Sequence, residues 1–169
     1  INMIDGLDGL AASIVLLAIT GMIFFNLTLE FNPFTSILLA TASALIPFII
    51  FNISSYTKVK VFLGDGGSLF LGYIISWALI YNAENTNSFT PSFALWCVAI
   101  PLFDFFTVIT MRALKKQSLM IARKDHIHHS LENLGFSKKL ILLLIVSYGL
   151  VVLLIGSFIE NNFPALSFP

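Results

Sequence analysis

Apolar residues in this chain come in long blocks rather than at helical or alternating intervals. The blocks run from about Leu10 to Leu29, Thr35 to Ile53, Ser68 to Tyr81, Ser92 to Met111 and Leu140 to Ile159, and none contains Lys or Arg. A helix needs about 20 apolar residues to cross the hydrocarbon core of a bilayer. The pattern therefore predicts an all-α, polytopic membrane protein with about five transmembrane helices. The third block is short, and crosses only with its glycine-rich lead-in or a tilt. A soluble helical core would not carry five such runs, and a secretory signal would need a basic start and a cleavage site that do not precede the first.

Composition agrees with that class. Hydrophobic residues make up 57% and charged residues 11%, with a mean hydropathy of +0.93, against roughly 25% charged in a soluble domain. The single cysteine, Cys97, lies inside a block, which excludes an intramolecular disulfide and suits a small apolar core residue.

Charge adds orientation. Cytoplasmic loops collect Lys and Arg, and the basic residues fall in two loops only. Lys58 and Lys60 lie between the second and third blocks; Arg112, Lys115, Lys116, Arg123, Lys124, Lys138 and Lys139 lie between the fourth and fifth. Those loops share one side, and the two crossings that separate the amino-terminal polar residues from the first of them put those residues there too. Glu30, Glu84 and Glu160 mark the opposite side. The net charge is zero, yet one face is basic and suits anionic headgroups or a phosphate-rich substrate.

Three polar clusters fall on that face. In INMIDGLDGLAAS, Asn2, Asp5 and Asp8 are each three residues apart, which on a helix would align them along one face. Gly6 and Gly9 repeat at the same spacing; glycine costs about 1 kcal/mol against alanine inside a helix, which suggests a close approach by a ligand or another backbone. A capped helix start with acids at its positive end accounts for the same residues. In VFLGDGGSLFLGY, Asp65 stands among glycines before a block and offers a hard oxygen ligand suited to magnesium. The alternative is a loop turning into a helix capped by Ser68. Without the lysine of a phosphate-binding P-loop, that assignment fails.

The third cluster is RKDHIHHSLENLGFS, with His126, His128 and His129 after Arg123 and Lys124. Imidazoles beside such cations suit hydrogen bonding to phosphate oxygens. A zinc site would have to borrow carboxylates, since the one cysteine is inside a block. Asp104 alone among the acidic residues lies within a block, where an ionisable group is costly; it is either catalytic or a packing contact. The Phe-rich remainder of the blocks reads as packing and lipid contact.

NMIDGLDGLA (2–11), FLGDGGSLFLG (62–72) and DHIHHSLENLGFS (125–137), in that order and separated by spans, resemble the polyprenyl-phosphate N-acetylhexosamine-1-phosphate transferases. The resemblance covers essentially the whole chain. The N-M-I-D start and H-I-H-H loop are most similar to the bacterial undecaprenyl-phosphate N-acetylglucosamine-1-phosphate transferases of O-antigen, common-antigen and teichoic-acid synthesis. The phospho-N-acetylmuramoyl-pentapeptide transferases, with a three-histidine run, are a weaker match.

The resemblance implies a reaction in which a UDP-N-acetylhexosamine and polyprenyl phosphate yield a polyprenyl-diphosphate sugar and UMP, with Mg²⁺ (or Mn²⁺) as cofactor. It also implies a multi-pass protein of the bacterial inner membrane, with its site on the cytoplasmic side and no nucleic-acid partner. By motif position, Asp65 would ligate Mg²⁺, assisted by Asn2, and Gly6, Asp8 and Phe62 would form the uracil pocket. Asp5 belongs to the same acidic motif. His126 and His128 would engage diphosphate and sugar, with His129 and Arg123 beside them. Two departures stand out. Gly66 occupies a position where relatives often have Thr or Val, and the adjacent aspartate pair of an earlier cytoplasmic loop does not occur. Residues 1–169 are accordingly expected to be the C-terminal part of one multi-spanning transferase domain, lacking its N-terminal spans and inactive alone. A transporter could also set carboxylates and glycines at broken helices, but near the midplane, and a noncatalytic scaffold would not align three motifs on one face.

The topology predicts that reporter fusions at Asn87 and Lys116 report opposite sides of the membrane; agreement between them would overturn it.

Overall fold

The computed structural model describes residues 1–26, 33–54, 60–84, 89–116, 118 and 125–163, apart from the side chains of Asn26 and Pro33. Glu30, Lys58, Arg123 and Lys124 therefore lie outside the described residues. A 3-10 turn, Asn2–Ile4, precedes α1 (Leu10–Asn26), α2 (Pro33–Ile53), α3 (Gly64–Glu84), α4 (Pro91–Cys97), α5 (Ala99–Leu114), α6 (Ile127–Asn133) and α7 (Lys138–Asn162). No strand occurs among the described residues.

Over their described residues, and apart from Val98, the apolar blocks are helical, but the helices are not equivalent. By length and hydropathy, α2 and α7 can each cross a membrane, and α4 with α5 forms a third candidate bent by 78°. The third block takes in its glycine-rich lead-in: α3 starts at Gly64 and runs 21 residues, about 31 Å at the α-helical rise. Its polar ends hold its hydropathy down. α1, with 17 residues, is shorter and lies at the centre, packed against α2, α3, α4 and α7. That position explains why Val15, Ile19 and Met22 on α1 are fully buried.

The fourth block is not one continuous helix. It breaks at Val98, between α4 and α5. Pro101 accounts for the break: it has no N–H to give the carbonyl of Cys97, and its ring would collide with that carbonyl in a continuous helix. The amide of Leu102 instead resumes the helical pattern on Val98, at 3.1 Å.

The direction of the helices follows from contacts at their ends. At one end, Asn2 touches α3 through Ser68, and Asn52 at the close of α2 touches Gly9. At the other, Phe25 of α1 packs on Phe89 and Phe93, and the Glu160 carboxylate accepts hydrogen bonds from the amide and hydroxyl of Thr90, both at 2.7 Å. Thr90 is itself the N-cap of α4, so Glu160 ties α4 to the last turns of α7. Removing both acceptors in Glu160→Ala is expected to cost roughly 2 kcal/mol, read as a lower thermal midpoint in detergent. Glu160→Gln, which keeps one acceptor, should lose less.

Candidate active site

The first motif is not the helical face its spacing suggested. After the 3-10 turn, residues 5–9 run as turns and bends, and α1 begins only at Leu10. The three-residue period still organises it. Ile4, Leu7 and Leu10 are buried against Ile100, Ile141 and Ile145, while Asn2 and Asp5 are exposed and Asp8 is half-buried. One apolar row thus anchors the segment and one polar row faces outward.

Asn2 and Asp8 of that row reach other parts of the chain. Asn2 Oδ1 accepts a 2.6 Å hydrogen bond from the Ser68 hydroxyl, which also donates to the Asp65 carbonyl at 3.2 Å. Ser68 lies inside α3 and is not the helix cap. Asp65 is exposed in the first turn of α3, after Gly64 at φ 65°, a left-handed conformation suited to glycine. Asp8 pairs with Lys60, whose ammonium lies 5.8 Å from the centroid of the Phe62 ring. That ring is 68% exposed. Partial burial, followed by the charges of Asp65 and Asp8, pushes the Asp5 carboxyl above its ordinary range. The three aspartates therefore share one electrostatic environment.

Asn52 closes this part of the site. Buried at the end of α2, it accepts from the Gly9 amide and donates to the Val61 carbonyl at 2.6 Å. Gly9 has φ 77°, and a side chain there would strike Ile53. A pocket of about 430 Å³ opens beside it, with Asp8, Lys60, Lys138 and Lys139 on its polar side and Leu7, Ile53 and Leu142 on its apolar side.

The histidine cluster joins through Gly6. A Cβ on Gly6 would lie 2.9 Å from His128 Cε1 and closer still to Nε2, so the buried imidazole fills the space a side chain would take. Close approach is what the sequence predicts for this glycine; the neighbour is a histidine ring of the same chain. Burial, then the neighbouring His129 and His126, lowers the His128 pKa to about 4, so this ring is neutral at physiological pH. His129 Nδ1 lies 3.0 Å from Glu132 Oε2, a contact that lowers the Glu132 carboxyl. His126 Nδ1 lies 2.7 Å from Asp104 Oδ2, and Asp104 Oδ1 accepts from the Ile127 amide at 2.9 Å. Buried Arg112 pairs with Asp125 at 3.1 Å.

The structure thus brings Asn2, Asp5, Asp8, Phe62 and Asp65 together and joins His128 to them through Gly6. His126 and His129 flank that ring, with ring centroids 6.1 and 4.1 Å from it. Arg123 lies outside the described residues. Lys60, Asn52 and Asp104 contribute in ways sequence reasoning missed or left open. Asn52 carried a faint signal as an amide closing an apolar block. Among the described residues, no three His, Cys, Asp or Glu side chains converge on a metal position. The donor chemistry fits a different kind of ion. Mg²⁺ characteristically takes one or two carboxylates, with waters and substrate phosphates completing its shell, and exposed Asp65 beside the polar row offers that set.

Residues 1–83 match the family model described as glycosyl transferase family 4. The undecaprenyl-phosphate alpha-N-acetylglucosaminyl 1-phosphate transferase of Escherichia coli K12 is 33% identical over 168 residues, covering 95% of this chain and 44% of that protein. The protein of the same name from Salmonella typhimurium LT2 is 32% identical over 160 residues, 92% of this chain and 43% of the relative. A probable undecaprenyl-phosphate N-acetylglucosaminyl 1-phosphate transferase of Bacillus subtilis 168 is 33% identical over 152 residues, 89% of this chain and 42% of the relative. The chain spans less than half the length of these relatives. No solved structure matches it.

The Gly6 contact yields a test. Gly6→Ala should force the His128 ring out of place and cost roughly 1–3 kcal/mol, as overpacking does, lowering the thermal midpoint in detergent. His128→Ala should cancel much of that loss in the double variant; strictly additive effects would refute the contact.

Proposed function

From the membership of residues 1–83 in glycosyl transferase family 4, we propose that this chain carries the nucleotide and diphosphate walls of a phosphoglycosyl transferase. The enzyme transfers N-acetylglucosamine 1-phosphate from its UDP-sugar to undecaprenyl phosphate in a bacterial inner membrane, on the cytoplasmic side, and initiates a cell-envelope polysaccharide. The observation that carries this reading is the convergence of three separated motifs on one end of the helices, through Asn2 with Ser68, Asp8 with Lys60, and Gly6 with His128.

The chemistry asks for positioning and charge neutralisation more than for a base. A lipid phosphate with a second pKa of about 6, as in phosphorylated side chains, is already an anionic nucleophile at pH 7. One of its oxygens attacks the phosphorus bearing the sugar. The bond from that phosphorus to the bridging oxygen breaks, and UMP departs with the bridging oxygen and its charge. Asp65, assisted by Asn2, would hold Mg²⁺, which supplies a Lewis acid and template for the phosphates when bound. The exposed Phe62 ring gives uracil a stacking surface, and Lys60 is placed to exchange between Asp8 and an incoming polar edge. Lys138 and Lys139 add positive potential beside the same pocket. Neutral His128 serves as a shaped wall behind Gly6, and His126, nearer the surface, is free to donate to phosphate oxygen.

The test is UMP release by the complete gene product in membranes supplied with UDP-N-acetylglucosamine, undecaprenyl phosphate and Mg²⁺. Asp65→Asn should lower turnover at least 100-fold, and undiminished turnover after Asp65→Ala would sink the metal assignment. Absence of UMP release with any UDP-N-acetylhexosamine would refute the function itself.

A further inference from the structure

The mechanism above leaves Asp104 unused, although it is buried, ionisable and committed at both oxygens. Oδ1 receives the Ile127 amide at 2.9 Å, which fixes the rotation of the carboxylate; Oδ2 then faces His126 Nδ1 at 2.7 Å. His126 is the N-cap residue of α6 but makes no side-chain capping bond. Asp104 supplies that bond from α5, and holds the ring in the same stroke. Among the described residues nothing bonds His126 Nε2, and that atom is not among the buried unsatisfied ones, unlike both ring nitrogens of His128.

We propose that Asp104 is a positioning residue that keeps the proton of His126 on Nδ1, so that Nε2 is the atom presented to the substrate phosphates. The inference rests on the phosphoglycosyl-transfer reading for its consequence, though not for its geometry. An ionised carboxylate only accepts hydrogen bonds, so the nitrogen facing it must carry hydrogen whether the ring is neutral or cationic. Nε2 is therefore the nitrogen left to face a ligand. With a proton from solvent it becomes a charged donor to phosphate oxygen, and Asp104 balances the imidazolium from behind. Among the described residues, the other charged or titratable groups around the ring are His128 and His129 on α6 and Asp125 before it, the last paired with Arg112 of α5. The break at Pro101 makes this possible, because it starts a new helix that carries Asp104 to the histidine loop.

A purely structural Asp104, acting only as the cap of α6, makes a different prediction. Asp104→Asn keeps an acceptor for the Ile127 amide but can turn an N–H toward Nδ1, which moves the imidazole proton to Nε2. In the complete gene product, labelled with ¹⁵N-histidine and held in detergent at pH 8, His126 should be protonated at Nδ1 in the native protein and at Nε2 in Asp104→Asn. The variant should lose at least 100-fold in kcat for UMP release, with KM for the UDP-sugar and the thermal midpoint little changed. Protonation at Nε2 in the native protein would overturn the proposal without any variant, and so would an Asp104→Asn enzyme with native kcat. A native protein that shows the Nδ1 tautomer yet releases no UMP would refute the function and leave the geometry standing.

Discussion

Burial of Ile4, Leu7 and Leu10 is the contact on which the site depends. These side chains enter the cluster formed with Ile14, Ile100, Ile141 and Ile145, each worth about 1.5–3 kcal/mol when fully removed from water. No regular helix holds the backbone between residues 5 and 9, so the apolar row takes over that task. It fixes the polar row by geometry, and Asn2, Asp5 and Asp8 emerge on the side where Ser68, Lys60 and Asp65 already stand. The same cluster draws α5 and α7 toward the motif, which brings the histidine loop between them within reach of Gly6.

The bilayer imposes the second constraint. Charges are expensive within hydrocarbon, and backbone groups there must be satisfied internally. Apolar helices therefore carry the chain across, and the ionisable groups collect at two ends. One end holds Asp5, Asp8, Lys60, Asp65 and the histidines; the other holds Glu84 and Glu160. The two ends use their carboxylates differently. Glu160 is spent on a helix cap, whereas Asp65 stays exposed and Asp8 pairs with a lysine that lies at the surface with it.

Much of this is legible in the chain. The five apolar blocks mark the helices, since composition alone decides what hydrocarbon tolerates. The three motifs mark the site because nothing in helix packing requires carboxylates, glycines and histidines in those places. The features that spacing does not reveal are local and three-dimensional. A three-residue period reads as a helical face, yet an apolar row at the same period can seat an irregular segment. Pro101 is visible in the sequence, but its effect is hidden within a long apolar block. The partner of Gly6, the clamp by Asn52 and the bond from Asp104 to His126 link positions far apart in sequence, and no spacing rule reports them.

Asn52 carries one more implication. Its side chain holds the Gly9 amide on one side and the Val61 carbonyl on the other, so the first motif and the approach to Phe62 are held by one residue. One buried amide thus couples the register of the acidic motif to that of Phe62 and Asp65, so neither wall of the site can shift without the other.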